Sequence, residues 1–332
     1  MLPLFFERKY FMIIDAKELK RRYLQRIAGA RDRQVYIGPE IVALNTTNSC
    51  NLRCLHCWTH SPRNPAHLKK TYFFPWKKFL GIVGDCVDLN VDQIHIVGSG
   101  EPTMHPLFRD MMRHLEQQPL KVKVFTNGAF PLDYCLDVIK ADHVLIDISA
   151  ADRQQYREVH GKDFFDRVVN NIKRLVSLRD TRKPGFIIEV AYIVNAINIS
   201  QKQKMQDLVS KLGINRISFE RMNLHDYNQE VALPEGPIAD LEGEEEKTPP
   251  ICLNGWFYML ARDGHISTCC RTYQLPLGDL SFKQHWLSPQ IMSMRLLGKY
   301  GRMQKMFKAC QTCVYYDENI QRSKDLAKAK RK

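Results

Sequence analysis

The sequence predicts an α/β fold: a partial (β/α)6 barrel followed by a small loop-rich domain. Six short β-rich runs alternate with amphipathic stretches between residues 41 and 221. An acidic stretch rich in Pro and Gly interrupts the pattern at 228–250. Beyond it, residues 251–320 hold five of the ten cysteines and show little periodicity. Six units are too few for a closed eight-stranded barrel, so the sheet is expected to stay open and curled.

Residues 1–37 are expected to be a basic helical extension, since "KELKRRYLQR" places Lys17, Lys20, Arg21, Arg22 and Arg26 on one helix. The barrel is assigned to 38–222, with strands "IVALNT", "QIHIVG", "KVKVFTN", "HVLIDIS", "FIIEVAYIV" and "RISFERM". Helices are expected in "WKKFLGIVGDCVDL", "PLFRDMMRHLEQQ", "FFDRVVNNIKRLVSLRD" and "QKQKMQDLVSKLG". In the third of these, Val168, Ile172, Leu175 and Val176 recur at helical spacing. Gly213 suits the C-terminal stop of the fourth. Residues 223–250 read as a linker, 251–320 as the second domain, and 321–332 as a basic tail with six cations against one acid. About 70 loop-rich residues scarcely build an apolar core, so a metal site is the natural staple.

At 332 residues, 44% hydrophobic and 26% charged, the chain has the composition of a globular protein. No apolar run approaches the roughly 18 residues of a membrane span. The apolar start is broken by Glu7, Arg8 and Lys9 and lacks a signal-peptide pattern. A cytoplasmic location is expected, with cysteines as ligands or catalysts rather than disulfides. The net charge of +13 raises contact with nucleic acid or another phosphate-bearing partner, against the plainer reading of solvated ends.

"CNLRCLHC" brings Cys50, Cys54 and Cys57 into eight residues directly after a strand. Structural zinc favours four ligands in CxxC pairs and fits poorly. Core cysteines do not cluster among polar residues. A [4Fe–4S] cluster suits three loop thiolates and leaves one iron open.

These residues resemble the CxxxCxxC signature of the radical S-adenosylmethionine (radical SAM) enzymes. The resemblance implies a partial barrel, a [4Fe–4S] cluster on the three cysteines, S-adenosylmethionine on the open iron, and hydrogen abstraction by a 5′-deoxyadenosyl radical. "VGSGEPTMHP" is similar to the family's glycine-rich segment, with Ser99 in place of one glycine. Gly98 and Gly100 suit close backbone approach to a ligand, and Glu101 suits a bound ammonium. By resemblance, Asn127, Asp147 and Ser149 face the cofactor, Asn195 is a looser match, and His56 takes the place of an aromatic ring near the adenine. Arg157, His160 and Gly161 resemble a helix-and-turn element of the family. The resemblance spans roughly residues 38–222. For individual positions plainer readings stand beside it: Asn127–Gly128 as a turn, Arg157 as a solvated cation.

Cys252, Cys269, Cys310 and Cys313 resemble the SPASM or twitch extension, with Gly264 and Cys269 meeting its G-x4-C element. One auxiliary [4Fe–4S] cluster is implied, zinc being the alternative. Either of Cys269 and Cys270 serves as the ligand, the spacing favouring Cys269. Cys270 is then a packing residue or a catalytic hydrogen-atom donor. Cys86 and Cys135 are expected in the core. The expected activity is oxidation or epimerisation of a small polar amino- or glycosyl compound. A peptide-modifying maturase and an RNA-modifying enzyme are the alternatives. A flavodoxin- or ferredoxin-type electron donor is implied by the family. Glu189 and Arg221, charged on central strands, are candidates for the barrel interior or for a mutual salt bridge.

Overall fold

The computed structural model describes residues 15–62, 70–221, 251–269, 274–303, 310, 313 and 315–329. Six parallel strands form in chain order: β1 (Ile41–Asn45), β2 (Gln93–Val97), β3 (Lys121–Thr126), β4 (His143–Asp147), β5 (Ile187–Val194) and β6 (Arg216–Arg221). Between them run α2 (Trp76–Asp88), α3 (Phe108–Glu116), α4 (Cys135–Val138), α5 (Arg153–His160), α6 (Phe165–Arg182) and α7 (Lys202–Leu212), after a leading α1 (Ala16–Asp32).

Strand alternation decides which side chains meet the helices. Ile94, Ile96, Val122, Val124, Val144, Ile146, Ile188 and Val190 are buried in one core with Ile82 and Val83 of α2, Met111 of α3 and Ile172 and Leu175 of α6. Their strand neighbours His95, Lys123, His143 and Glu189 therefore face the opposite, inner side. The expected strand and helix assignments agree with these elements within two residues, and Gly213 caps α7 at φ +71°. Cys86 and Cys135 are fully buried, as expected.

The C-terminal segment joins the same sheet. β7 (Tyr258–Arg262) runs parallel beside β1, and β8 (His265–Ser267) and β9 (Leu275–Pro276) add antiparallel, giving the order β6-β5-β4-β3-β2-β1-β7-β8-β9. Among the described residues the helices that follow are α8 (Phe282–Trp286), α9 (Pro289–Lys299) and α10 (Tyr316–Ala329). Trp286 and Ile291 enter the barrel's own core. The shortage of apolar residues that reads as a loop-rich domain is thus met by sharing a core.

Most of the described end cations are exposed, as the solvated reading expects (Lys17, Lys20, Arg21, Lys324, Lys328), but some are not. The presumed boundary at 320/321 falls inside α10, whose Leu326 packs with Ile27 and Ala30 of α1 and with Trp256. Tyr23 donates to Asp325 at 2.9 Å. Arg26 is buried and bonds Asp92 at 2.7 Å and the Gly38 carbonyl at 2.9 Å, while Arg22 reaches Asp92 at 3.0 Å. These cations brace α1 against the start of β2; breaking such a buried pair by removing one partner costs about 3–5 kcal/mol. The linker assigned to 223–250 lies outside the described residues. No helix among the described residues is long and apolar enough to cross a membrane.

Candidate active site

Each parallel strand delivers a loop to the C-terminal mouth of the sheet. After β1 the chain turns through Thr47, whose hydroxyl donates to the Tyr72 carbonyl at 2.7 Å and accepts from Ser49 N–H at 3.0 Å. The loop after β2 grips this turn: Gly100 N–H donates to Thr47 O at 3.0 Å and Glu101 N–H to Ser49 O at 2.7 Å. A Cβ on Gly100 would lie 2.1 Å from Ser49 O, and one on Gly98 would lie 2.6 Å from Gly100 O. Gly100 therefore lets its loop press on the backbone of the cysteine loop, and Gly98 lets the same loop fold back on itself beside Thr47 O. Ser99 completes the clasp, donating its N–H to Asn45 at 2.9 Å and accepting from Asn45 Nδ2 at 2.6 Å.

The far side of the cysteine loop rests on the end of α5. Arg53 N–H donates to His160 O at 3.1 Å and Leu55 N–H to Val159 O at 2.8 Å, satisfying carbonyls a helix end leaves open. Gly161 turns the chain there at φ +72°, where an added Cβ would stand 2.8 Å from Arg53 O. No side chain fits, and the left-handed turn favours glycine as well.

The three sulfurs of Cys50, Cys54 and Cys57 are unbridged. Leu52 N–H points at Cys50 Sγ (3.5 Å), His60 N–H at Cys57 Sγ (3.2 Å), and His160 Nδ1 lies 3.1 Å from Cys54 Sγ. Burial pushes the Cys50 thiol up to about 12, the Cys54 thiol well above its ordinary value, and the Cys57 thiol upward. A buried thiolate wants a cation, and N–H donors aimed at sulfur suit ligands of an iron–sulfur cluster. Cys54, His56 and His160 also place ligand atoms within 4.8 Å of one another. His160 Nε2 accepts from Ser149 N–H at 3.0 Å, however, which leaves the proton rather than a lone pair on Nδ1. The trio is accordingly a poor single-ion site, and the three thiols the better donor set.

Glu101 is fully buried beneath the loop. Oε1 accepts from Thr103 N–H (3.1 Å), the Thr103 hydroxyl (2.7 Å) and the Thr126 hydroxyl (2.7 Å); Oε2 accepts from Asn127 N–H at 2.7 Å. Burial pushes its carboxyl above the usual range against the pull of these donors. Oε2 retains a lone pair for one more donor. Asn127 Nδ2 donates to Asn51 at 2.8 Å inside the loop, tying β3 to the cysteines.

At the end of β4, Asp147 Oδ2 meets His56 Nε2 at 3.1 Å and Oδ1 accepts the Ser149 hydroxyl at 2.7 Å. Burial alone would raise the Asp147 carboxyl, but His56, His160 and Ser149 hold it down to about 2. His56 Nδ1 is buried with no hydrogen-bond partner among the described residues, a polar atom at the mouth. Asn195 is turned to local work: its side chain accepts from Ile197 N–H at 2.9 Å and donates to Ile193 O at 3.3 Å. Glu189 pairs with Lys123 (3.1 Å) and His143 (2.8 Å) on the inner face; its mutual salt bridge with Arg221 falls on a side chain outside the described residues.

The second cysteine group assembles from distant stretches. Burial pushes Cys252 up to about 11, with the neighbouring Cys313 and Cys310 adding to the rise. Cys252 N–H donates to Gly298 O at 2.9 Å, Leu253 N–H to Asn319 Oδ1 at 2.9 Å, and Asn254 Nδ2 to Thr268 O at 2.8 Å, next to Cys269. Asn319 Nδ2 lies 4.0 Å from Cys313 Sγ. Gly264 makes the β7–β8 turn at φ +72°. Cys270 lies outside the described residues. Sequence reasoning missed Thr103, Thr126, Asn51 and Asn45, which hold the other groups, because lone polar residues after strands carry no spacing signal.

Comparison with known proteins bears first on the region from β1 to β5. Residues 44–188 match the model of the radical SAM superfamily. The chain is similar to a probable GTP 3′,8-cyclase of Saccharolobus islandicus, 24% identical over 182 residues, 54% of this chain and 55% of that protein. It is also similar to the tungsten-containing aldehyde ferredoxin oxidoreductase cofactor-modifying protein of Pyrococcus furiosus, 27% identical over 178 residues, 52% of this chain and 48% of that one. The chain thus spans about half the length of the curated relatives it matches. Among solved structures it is similar to Streptococcus suis SuiB bound to S-adenosylmethionine, with TM-score 0.65, 15% identity, and 90% of this chain and 77% of that one covered. Native anSMEcpe with bound AdoMet gives TM-score 0.60 at 13% identity, covering 88% of this chain and 98% of that one. At such identities these structures speak to the fold alone.

Proposed function

We propose that the radical SAM domain of residues 44–188 acts as an enzyme that cleaves S-adenosylmethionine reductively and abstracts hydrogen from a small polar substrate. One observation carries this reading: the loops after β1, β2, β3 and β4 bring three unbridged, donor-supported thiols together with Glu101, Asn127 and Asp147 at one mouth. Cys50, Cys54 and Cys57 would hold a [4Fe–4S] cluster. With S-adenosylmethionine bound, that group supplies one-electron cleavage of the sulfonium and a 5′-deoxyadenosyl radical.

The chain's own residues do the rest. Glu101 offers its remaining Oε2 lone pair to an ammonium, pre-oriented by Thr103, Thr126 and Asn127. Asp147 and Ser149 present hydroxyl and carboxylate oxygens at the end of β4, and the open Nδ1 of His56 awaits a polar contact. Lys123, His143 and Glu189, with His95 beside them, give the inner face of the sheet a charged lining, which supports a polar substrate over an apolar one. Such a face suits an amino- or glycosyl compound. A nucleotide is the second reading, favoured by the similarity of this region to the cyclases. The engagement of Arg22 and Arg26 with Asp92 weakens the RNA reading.

Cys252, Cys269, Cys310 and Cys313 would hold an auxiliary [4Fe–4S] cluster that accepts the second electron in an oxidation. Cys270 belongs to the epimerisation branch as hydrogen-atom donor; normal turnover by Cys270→Ala removes it. A flavodoxin- or ferredoxin-type protein is the expected electron source. Iron analysis and Mössbauer spectra after anaerobic reconstitution test the whole reading. About eight irons in the wild type, falling to about four in a Cys50, Cys54, Cys57→Ala triple variant, are expected. About four falling to none would leave the C-terminal group without a cluster.

A further inference from the structure

We propose that His160 sets the reduction potential of the cluster on Cys50, Cys54 and Cys57 by donating an Nδ1–H···S hydrogen bond to Cys54. The proposal rests on the reading of those three cysteines as cluster ligands.

The direction of the bond follows from the other side of the ring. Ser149 N–H lies 3.0 Å from His160 Nε2, and a backbone N–H can only donate. Nε2 is therefore the acceptor and carries no proton, so the neutral ring bears its hydrogen on Nδ1. Nδ1 stands 3.1 Å from Cys54 Sγ, within reach for an N–H···S contact.

The ring is held on every side. Tyr156 stacks on it at 4.3 Å and 30°, and His56 meets it edge-on at 5.6 Å. Ser149, which fixes the tautomer, is itself fixed by Asn198 Nδ2 on its carbonyl (2.9 Å) and Ile193 N–H on its hydroxyl (2.8 Å). The His160 carbonyl takes Arg53 N–H at 3.1 Å, so backbone and side chain grip adjacent residues of the cysteine loop. His160 is fully buried, and water does not compete for the contact.

Cys50 receives Leu52 N–H at 3.5 Å and Asn127 Nδ2 at 3.9 Å, and Cys57 receives His60 N–H at 3.2 Å; the imidazole of His160 stands 3.1 Å from Cys54, the shortest of these contacts. Adding one electron from a flavodoxin-type donor raises negative charge on the thiolate sulfurs. A donor hydrogen bond favours that state, and losing it drives the potential down.

The test uses the full-length protein, reconstituted anaerobically and titrated by EPR on the signal that changes when S-adenosylmethionine is added. In H160Q the side-chain amide reaches the Nε2 position and keeps an acceptor for Ser149 without a donor for Cys54. In H160N an amide N–H occupies the Nδ1 position and keeps that donor. H160Q is expected to lower the reduced-to-oxidised ratio at fixed potential about tenfold, which is about 59 mV for a one-electron couple. H160N should stay within about twofold of wild type. A wild-type potential in H160Q, or equal shifts in both variants, overturns the proposal.

Should the variants fail to fold, wild-type protein labelled with histidine carrying 15N at ring Nδ1 alone decides by pulsed EPR, since the backbone nitrogen of His60, which donates to Cys57, then stays unlabelled. A 15N hyperfine coupling to the reduced cluster is expected, and its absence overturns the assignment. The underlying reading fails separately: a Cys50, Cys54, Cys57→Ala triple variant that retains the S-adenosylmethionine-responsive signal overturns the ligand set itself. Loss of that signal beside an unshifted H160Q overturns His160 alone.

Discussion

The two cysteine groups are held in opposite ways. Cys50, Cys54 and Cys57 lie in one eight-residue loop, clasped by the segment after β2 on one side and the end of α5 on the other. Cys252, by contrast, has Cys310 and Cys313 as neighbours from a distant stretch of the chain, and the residues that follow it are tied by Asn319 and, through Asn254, to Thr268 beside Cys269. Yet each group has a glycine pressed on its backbone. A Cβ on Gly100 would meet Ser49 O at 2.1 Å, and one on Gly298 would meet Cys252 O at 2.4 Å. A local loop is built for placement by neighbours; a dispersed set is built by the fold as a whole.

The sharpest break in this comparison is by ligand removal. Cys54→Ala should reduce 5′-deoxyadenosine formation from S-adenosylmethionine by at least about a thousandfold, near the background without a cluster. Cys252→Ala should leave that cleavage within about tenfold while abolishing oxidised product, so quantifying both by chromatography separates the two groups. Equal loss in both variants would mean that the second group serves the first reaction too.

The glycines come next. Gly100→Ala should displace the cysteine loop and cost roughly 1–3 kcal/mol, as overpacking does. Its iron loss should fall on the N-terminal group, read by Mössbauer quantitation. Gly298→Ala should cost a similar amount and remove iron from the other group alone. Loss of both groups from either variant would show that they are not independently seated.

Thr126→Val should be smaller. It removes one of four donors to the buried Glu101 carboxylate and should cost about 1–3 kcal/mol. Binding of S-adenosylmethionine, measured by equilibrium dialysis, should weaken, while iron content stays at wild-type level.

The smallest effect concerns pH. Burial lowers His95 to about 3 on the inner face of the sheet, with Lys123 and His143 adding to the fall. The unfolded chain therefore binds the proton more readily, and the stability this neutral ring contributes is full above about pH 6.5 and lost as pH falls toward 3. In His95→Leu the acid limb of an unfolding curve should be shallower across that window. An unchanged slope would mean that the ring is not held neutral.

Much of the barrel was legible because its signals are local. Strand runs such as "KVKVFTN" and the periodicity of Val168, Ile172 and Leu175 need no distant partner to be read. The cysteine trio was legible for the same reason. The protein neighbour of Gly100 was not legible, since spacing shows that a backbone comes close but not which residue it meets; here Ser49 is one such neighbour. The place of β7 beside β1, the α1–α10 contact and the clasp of Thr103 and Thr126 on Glu101 were illegible. Each is a meeting of residues far apart in the chain, or of polar residues with no period. The solvated reading of the basic ends holds for cations such as Lys17 and Lys328, but charge count does not reveal that Arg26 finds Asp92.

One consequence concerns the order in which a ribosome delivers the chain. β1 ends at Asn45, and its parallel neighbour β7 begins at Tyr258. At about 5–20 residues per second, synthesis leaves that flank of β1 without its partner for roughly 10–40 s. Through that interval a strand destined for the middle of a nine-stranded sheet is an edge, open to pairing with a neighbouring nascent chain. Slower translation or scarce chaperone should therefore reduce the soluble yield of this protein through β1, before any cofactor is met.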